Sequence, residues 1–143
     1  HSNMMKKKTV AGFVLTCVGD KSAYSFLPSR KGHTLAERVA KHVFSYHASD
    51  YVHYSFKDRG SDERQYCSPQ LIAIVSVMRT KYEKYPEYHA SLDDFSLISP
   101  EGLGGAFEMI KKFSHALELN YPLEPQLGKR GLYKIASNEG VGL

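Results

Sequence analysis

The side chains best suited to chemistry fall in three places. His89 follows Tyr88 and precedes Asp93 and Asp94 by four and five residues. Asp62, Glu63 and Arg64 sit in the polar run GSDERQYCSP, just ahead of the apolar run Leu71 to Met78. Asp20 follows Gly19 at the end of an earlier apolar run, Thr9 to Val18. A neutral imidazole in a loop is a good zinc ligand, and a nearby carboxylate such as Asp93 or Asp94 can orient its second ring nitrogen. If folding gathers Asp20, Asp62 and His89 at one sheet edge, the set matches a zinc or hard-metal site. The same residues also have plainer uses. Asp tolerates tight turns, Asp62 and Glu63 could pair with Arg59 and Arg64, and Asp93 or Asp94 could cap a turn. Spacing leaves both readings open.

The elements that must position these residues follow from the apolar pattern. Thr9 to Val18 and Leu71 to Met78 are apolar on both faces, which predicts central strands covered by helices on both sides. Asp20 then lies just past a strand end, where open α/β sheets place their ligand sites. Tyr51 to Phe56 alternates and predicts a strand nearer the edge, and Tyr24 to Leu27 is a short strand candidate. Thr34 to His47 predicts a helix with a capping box formed by Thr34 and Glu37. Its apolar stripe is Leu35, Val39 and Val43, with Glu37, Arg38 and Lys41 turned away. His42 and His47 are five apart and do not share a face.

Ser99 to Asn120 predicts a second helix, with Ser99 as N-cap and Pro100 at its first position. Leu103, Phe107, Ile110, Ser114 and Leu117 form its stripe, joined by Ala106 and Phe113. Gly102, Gly104 and Gly105 cost helix propensity and indicate that the first turns press on a strand or loop. The order predicts an α/β fold with a mixed or mostly parallel sheet and flanking helices. Two good helices are few for two-sided strands, so the chain is expected to be part of a larger fold or to self-associate.

Domain organisation reads as residues 1–8, an expression scar and disordered basic start; 9–120, the α/β body; and 121–143, an extended tail. The tail carries isolated apolar residues such as Leu123 and Leu127 that could dock on the body or on another chain. With 42% hydrophobic and 24% charged residues the chain is globular in composition. The net charge of +4 comes partly from Lys6, Lys7 and Lys8, which argues against nucleic acid as a partner. No run approaches the ~18–20 apolar residues of a membrane helix, and no signal peptide is visible, so the expected compartment is the cytoplasm. Cys17 and Cys67 have no metal-like spacing, and Cys17 reads as a buried free thiol.

Several runs carry a family resemblance. Gly60-Ser61-Asp62 followed by Tyr66, and Tyr85-Pro86-Glu87-Tyr88-His89, resemble two motifs of the co-catalytic zinc exopeptidases. AGFVLTCVGD, DRGSDERQYCSP, SVMRTKY, YPEYH, SLDD, SPEGL and EPQLGKRGLY resemble more closely a bacterial family of aminopeptidase-like domains linked with surface polysaccharide biosynthesis. The resemblance runs from about Val10 to Tyr133. It implies a partial zinc-exopeptidase-like fold, zinc as cofactor, His89 as a terminal zinc ligand, and Asp20 in the position of a late carboxylate ligand. It also implies that Asp62, Glu63, Arg64 and Tyr66 line a pocket for a peptide-like or amine-bearing small substrate.

The departures carry equal weight. The sequence has no His-x-Asp and no Glu-Glu pair, which that family uses for the bridging ligand and general base. The chain therefore reads as the C-terminal part of such a protein, inactive by itself and completed by a missing N-terminal half. The alternative is a non-catalytic binding or oligomerisation module derived from the same fold.

Overall fold

The computed structural model describes Met4 and residues 7–60, 63–67 and 72–120. Of the basic start, Met4, Lys7 and Lys8 are helical where disorder is expected. The strands are β1 (Gly12–Leu15), β2 (Ser25–Leu27), β3 (Val52–His53) and β4 (Ile74–Met78). The helices are α1 (Leu35–His47), the single turn α2 (Glu63–Tyr66) and α3 (Pro100–Glu118), with a 3-10 turn at Phe56–Asp58. The strands form one mixed sheet in the order β1-β4-β2-β3. β1 runs parallel to β4, β2 parallel to β3, and β2 antiparallel to β4.

The mixed α/β architecture matches the expectation, but the strand positions do not all match. β1 pairs only with β4 among the described strands, so it is an edge where a central strand is expected. Its residues are half-buried, and Leu15 is exposed. Apolar residues on both faces report burial demand, whereas position in the sheet is set by which backbones pair. The short β2 takes the interior place beside β4, and its three residues are all buried. β3 is at the edge, as its alternation predicts, and its two residues are exposed.

Facing register puts Phe13 opposite Val75, and Phe26 opposite Val77. These residues form one core with Val39, Val43 and Phe44 of α1 and Met109 and Phe113 of α3. Phe44 is its hub, stacked on Tyr51 at 4.7 Å and edge-on to Phe113 at 5.6 Å. Such pairs add about 0.5–1.5 kcal/mol beyond area burial. A second cluster, Leu27, Met78 and Tyr82, is covered by Cys17, Tyr54 and Tyr88. The long helices thus share one core, and loop residues close the other cluster.

α1 starts as predicted, with the Glu37 N–H donating to Thr34 Oγ1 at 3.4 Å. The reciprocal half of the box is absent. Glu37 is buried, and its carboxylate accepts from Ser29 N–H (2.8 Å), Ser29 Oγ (2.6 Å) and His33 N–H (2.8 Å). Glu37 therefore does not turn to solvent; three donors from the preceding loop make its burial tolerable. In α3 Ser99 caps the helix, its Oγ accepting from Gly102 N–H at 3.0 Å. The buried stripe is Gly102, Ala106, Met109 and Phe113, while Leu103 and Phe107 are exposed. Gly102 sets this rotation. A Cβ there would overlap the Gly19 carbonyl and lie 2.5 Å from the Asp20 carbonyl oxygen, so the helix meets that loop through a side-chain-free position.

Candidate functional site

Because β1 and β4 are parallel, both send their following loops to the same edge of the sheet. The Arg79 N–H donates to the Cys17 carbonyl at 2.9 Å, extending the pairing past the strand ends. Asp20 then joins the two loops. Its Oδ2 accepts from Thr80 N–H at 3.0 Å, and its Oδ1 accepts from Thr80 Oγ1 (3.1 Å) and Ser22 N–H (2.7 Å). Burial works to raise the Asp20 carboxyl, but the bonds from Ser22 and Thr80 outweigh it and hold the group below its ordinary range. The Ser99 N–H donates to the Gly19 carbonyl at 2.9 Å, so the start of α3 is tied to the same corner. Arg79 lies over the Tyr24 ring at 3.8 Å and donates from Nη1 to the Ser22 carbonyl at 3.0 Å. Asp20 is a clamp between two loops.

The loop after β4 packs back on the loop after β1. Tyr85 Oη donates to Cys17 Sγ at 3.3 Å. Burial first, then this bond, pushes the Tyr85 hydroxyl well above the usual phenol range. Cys17 is a half-buried free thiol, and Cys67 is a buried one. Tyr88 packs between Tyr82 and Tyr85, at 6.1 and 5.7 Å, and His89 stacks on Tyr88 at 4.0 Å. Cys17 and His89 both hold left-handed backbone, with φ of 48° and 56°. Such residues cluster where surrounding packing overrides local preference, often at functional sites.

His89 is exposed, and no hydrogen bond joins it to Asp93 or Asp94. Asp94 instead accepts from Ser96 N–H at 2.7 Å in a local turn, which is its plainer sequence reading. The Ser96 side chain first, then this N–H bond, holds its carboxyl below the usual range. Asp62 lies outside the described residues, and Glu63 opens α2. Arg64 donates to the Arg59 carbonyl, and Tyr66 is exposed. Among the described residues no group of three His, Cys, Asp or Glu side chains gathers as a metal site. The described residues thus do not by themselves make a zinc centre, and the Asp20 oxygens already serve Ser22 and Thr80.

The supports of this edge were hidden in the sequence. Arg59 reads there as an ion-pair partner, but it is 1% exposed and points into the sheet. It donates to Ser76 Oγ at 2.7 Å and to the carbonyls of Leu27, Pro28 and Ile74 at 3.2–3.4 Å. It thereby anchors the entry to the GSDERQY run. The Gly60 N–H donates to Tyr82 Oη at 2.7 Å, joining that run to the loop after β4. Lys81 is also buried, with Nζ 3.2 Å from the Tyr82 carbonyl and 4.0 Å from the Tyr82 ring centroid. No spacing rule marks Arg59 or Lys81; a buried cation becomes visible only when its carbonyl partners converge.

A mixed α/β domain whose polar loops meet at the carboxyl edge of two parallel strands is the class these features define. Within that class, the chain belongs to the family described as Domain of unknown function (DUF4910), which matches residues 1–120. It is 31% identical over 137 residues to a Clostridium acetobutylicum protein provisionally named for polysaccharide biosynthesis with an aminopeptidase-like domain. That alignment covers 90% of this chain and 31% of the relative. The chain is also similar to a Clostridium acetobutylicum crystal structure provisionally named a peptidase, with a TM-score of 0.73 and 31% identity. That match covers 90% of this chain and 32% of the other. The chain therefore spans about a third of the length of these relatives. No described helix is long and apolar enough to cross a membrane.

Proposed function

We propose that this chain forms part of an aminopeptidase-like domain, with the loops after β1 and β4 as one wall of its site. The observation that carries the reading is the convergence of those loops at one sheet edge, where Asp20 grips Thr80 and Tyr85 grips Cys17. Similarity to proteins named for aminopeptidase-like and peptidase domains supplies the chemical class. The substrate is a peptide-like or amine-bearing small molecule, met by Arg64 and Tyr66 on one side and His89 on the other. His89 is exposed and open to a metal; of its expected zinc partners, Asp20 bonds Ser22 and Thr80 and Asp62 lies outside the described residues. Asp20 serves this site by fixing the loops.

A chimera tests the reading, with this chain replacing the matching third of the Clostridium acetobutylicum relative. The expected result is release of p-nitroaniline from aminoacyl p-nitroanilides, bound zinc, and loss of both in His89→Ala. A folded chimera that neither binds zinc nor cleaves these substrates, beside an active intact relative, overturns the reading for this chain. An intact relative that cleaves none of them overturns the aminopeptidase chemistry itself.

The open edge of β1 favours a second reading, a non-catalytic binding or oligomerisation module. No described strand pairs with its outer side, and Val10, just before it, is 78% exposed. An unpaired edge invites another strand, from the rest of a longer polypeptide or from a second copy. Sedimentation showing a monomer at every concentration removes self-association.

A further inference from the structure

Tyr82 stands between the two halves of the proposed site. It is 3% exposed and packs with Leu27 and Met78. Its hydroxyl reaches one half. Oη accepts from Gly60 N–H at 2.7 Å, at the head of the run that carries Arg64 and Tyr66. This contact is close as well as polar, since a Cβ at Gly60 would come 3.3 Å from Tyr82 Cε2. The Tyr82 ring reaches the other half. The Tyr88 ring centroid lies 6.1 Å from it, and the His89 imidazole lies 4.0 Å beyond that, at 15° to the Tyr88 plane.

The path is held at both ends. Just before Gly60, the buried Arg59 side chain is bonded to Ser76 Oγ and the Leu27 carbonyl. Lys81 Nζ sits 4.0 Å from the Tyr82 ring centroid. Tyr85 packs edge-on to Tyr88 at 5.7 Å, and its own hydroxyl is bonded to Cys17. A ring packed on several sides passes a displacement on, because a close-packed interior has few voids to absorb it. Chains of packed side chains and hydrogen bonds are the physical carriers of such coupling. We propose that Tyr82 is a positioning residue that fixes the Gly60 run and His89 relative to one another, so that a ligand held by one loop orients the other. Resting on the aminopeptidase-like reading, this means that the contacts to the two ends of a peptide-like substrate are set together.

The test uses the full chain without substrate and reads two NMR signals. One is the exchange rate of the Gly60 amide. The other is the set of His89 imidazole resonances, which the stacked Tyr88 ring displaces. Tyr82→Phe keeps the ring and removes the acceptor of the Gly60 N–H. Gly60→Ala pushes on the same ring from the other end. The expected result is several-fold faster Gly60 exchange in Tyr82→Phe and shifted His89 resonances in both variants. Tyr54→Phe, which removes another hydroxyl beside the same cluster, should move neither signal. In Tyr82→Leu, where the ring is gone, adding Gly60→Ala should no longer shift His89. Unchanged His89 resonances in either single variant overturn the proposal, as does a Gly60→Ala shift that persists without the Tyr82 ring. If Tyr82→Leu fails to fold, Tyr82→Phe and Gly60→Ala decide between them. Neither signal depends on turnover, so a negative result here leaves the aminopeptidase-like reading standing, and an inactive chimera leaves this coupling standing.

Discussion

Gly102 and Gly104 lie two positions apart in the first turns of α3, yet the structure assigns their alanine variants opposite signs. At Gly104 an added Cβ meets nothing within 4 Å. Gly104→Ala should therefore gain most of the helix-propensity difference, about 0.5–1 kcal/mol. At Gly102 the same methyl overlaps the Gly19 carbonyl and sits 2.5 Å from the Asp20 carbonyl oxygen, both backbone atoms. Relief requires the helix start to retreat by about 1.5 Å, since the Gly19 carbonyl oxygen is the nearer of the two and an ordinary contact is near 3.5 Å. That movement weakens the 2.9 Å bond from Ser99 N–H to the Gly19 carbonyl. Overpacking costs about 1–3 kcal/mol and the hydrogen bond about 1 kcal/mol. Against the propensity gain, the net loss is about 2 kcal/mol. The two variants should therefore differ by about 3 kcal/mol, roughly 10 °C in Tm for a chain of this size. Urea unfolding followed by far-UV circular dichroism measures it. If Gly102→Ala is as stable as Gly104→Ala, α3 does not press on the loop after β1, and the account of its rotation fails.

Arg59→Met removes the donor shared by Ser76 and three carbonyls at a fully buried position. A loss of about 3 kcal/mol or more in urea unfolding is expected, and a loss below about 1 kcal/mol contradicts the anchor role. Glu37→Ala strips the acceptor from Ser29 and His33. It should cost about 2–4 kcal/mol, with faster amide exchange at those two residues. Asp20 has a folded-state carboxyl below its unfolded value, because bonds from Ser22 and Thr80 outweigh burial. Its stabilising contribution is present above the unfolded value, near pH 4, and is lost as pH falls through the lower folded value. The stability gap between the chain and Asp20→Asn should then narrow from about pH 5 downward; a gap constant across that range excludes the charged clamp.

The helices were legible because their signals are local. Thr34 and Ser99 stand where caps are needed, and Pro100 fills a position whose N–H has no intrahelical use. The edge placement of β3 followed from its alternating pattern. The edge placement of β1 did not, because its apolar residues say that it is covered without saying by what. Glu37 departs from its expected outward face for a related reason. Helical phase alone turned it outward, while Ser29 and His33 arrive from a loop whose path the local sequence does not specify. The stripe of α3 was displaced in the same way by the contact of Gly102 with Gly19 and Asp20.

The sequence by itself determined the α/β class, the two long helices and the residue types present in the polar loops, since these depend on periodicity and capping over short spans. Only the tertiary structure decided how those residues are used. It made Asp20 a clamp to Thr80, stood His89 exposed against Tyr88, and drove Arg59 into the sheet. Asp20 and Arg59 find partners up to 60 residues away in the chain. Such hydrogen bonds form only after strand pairing has brought the loops together.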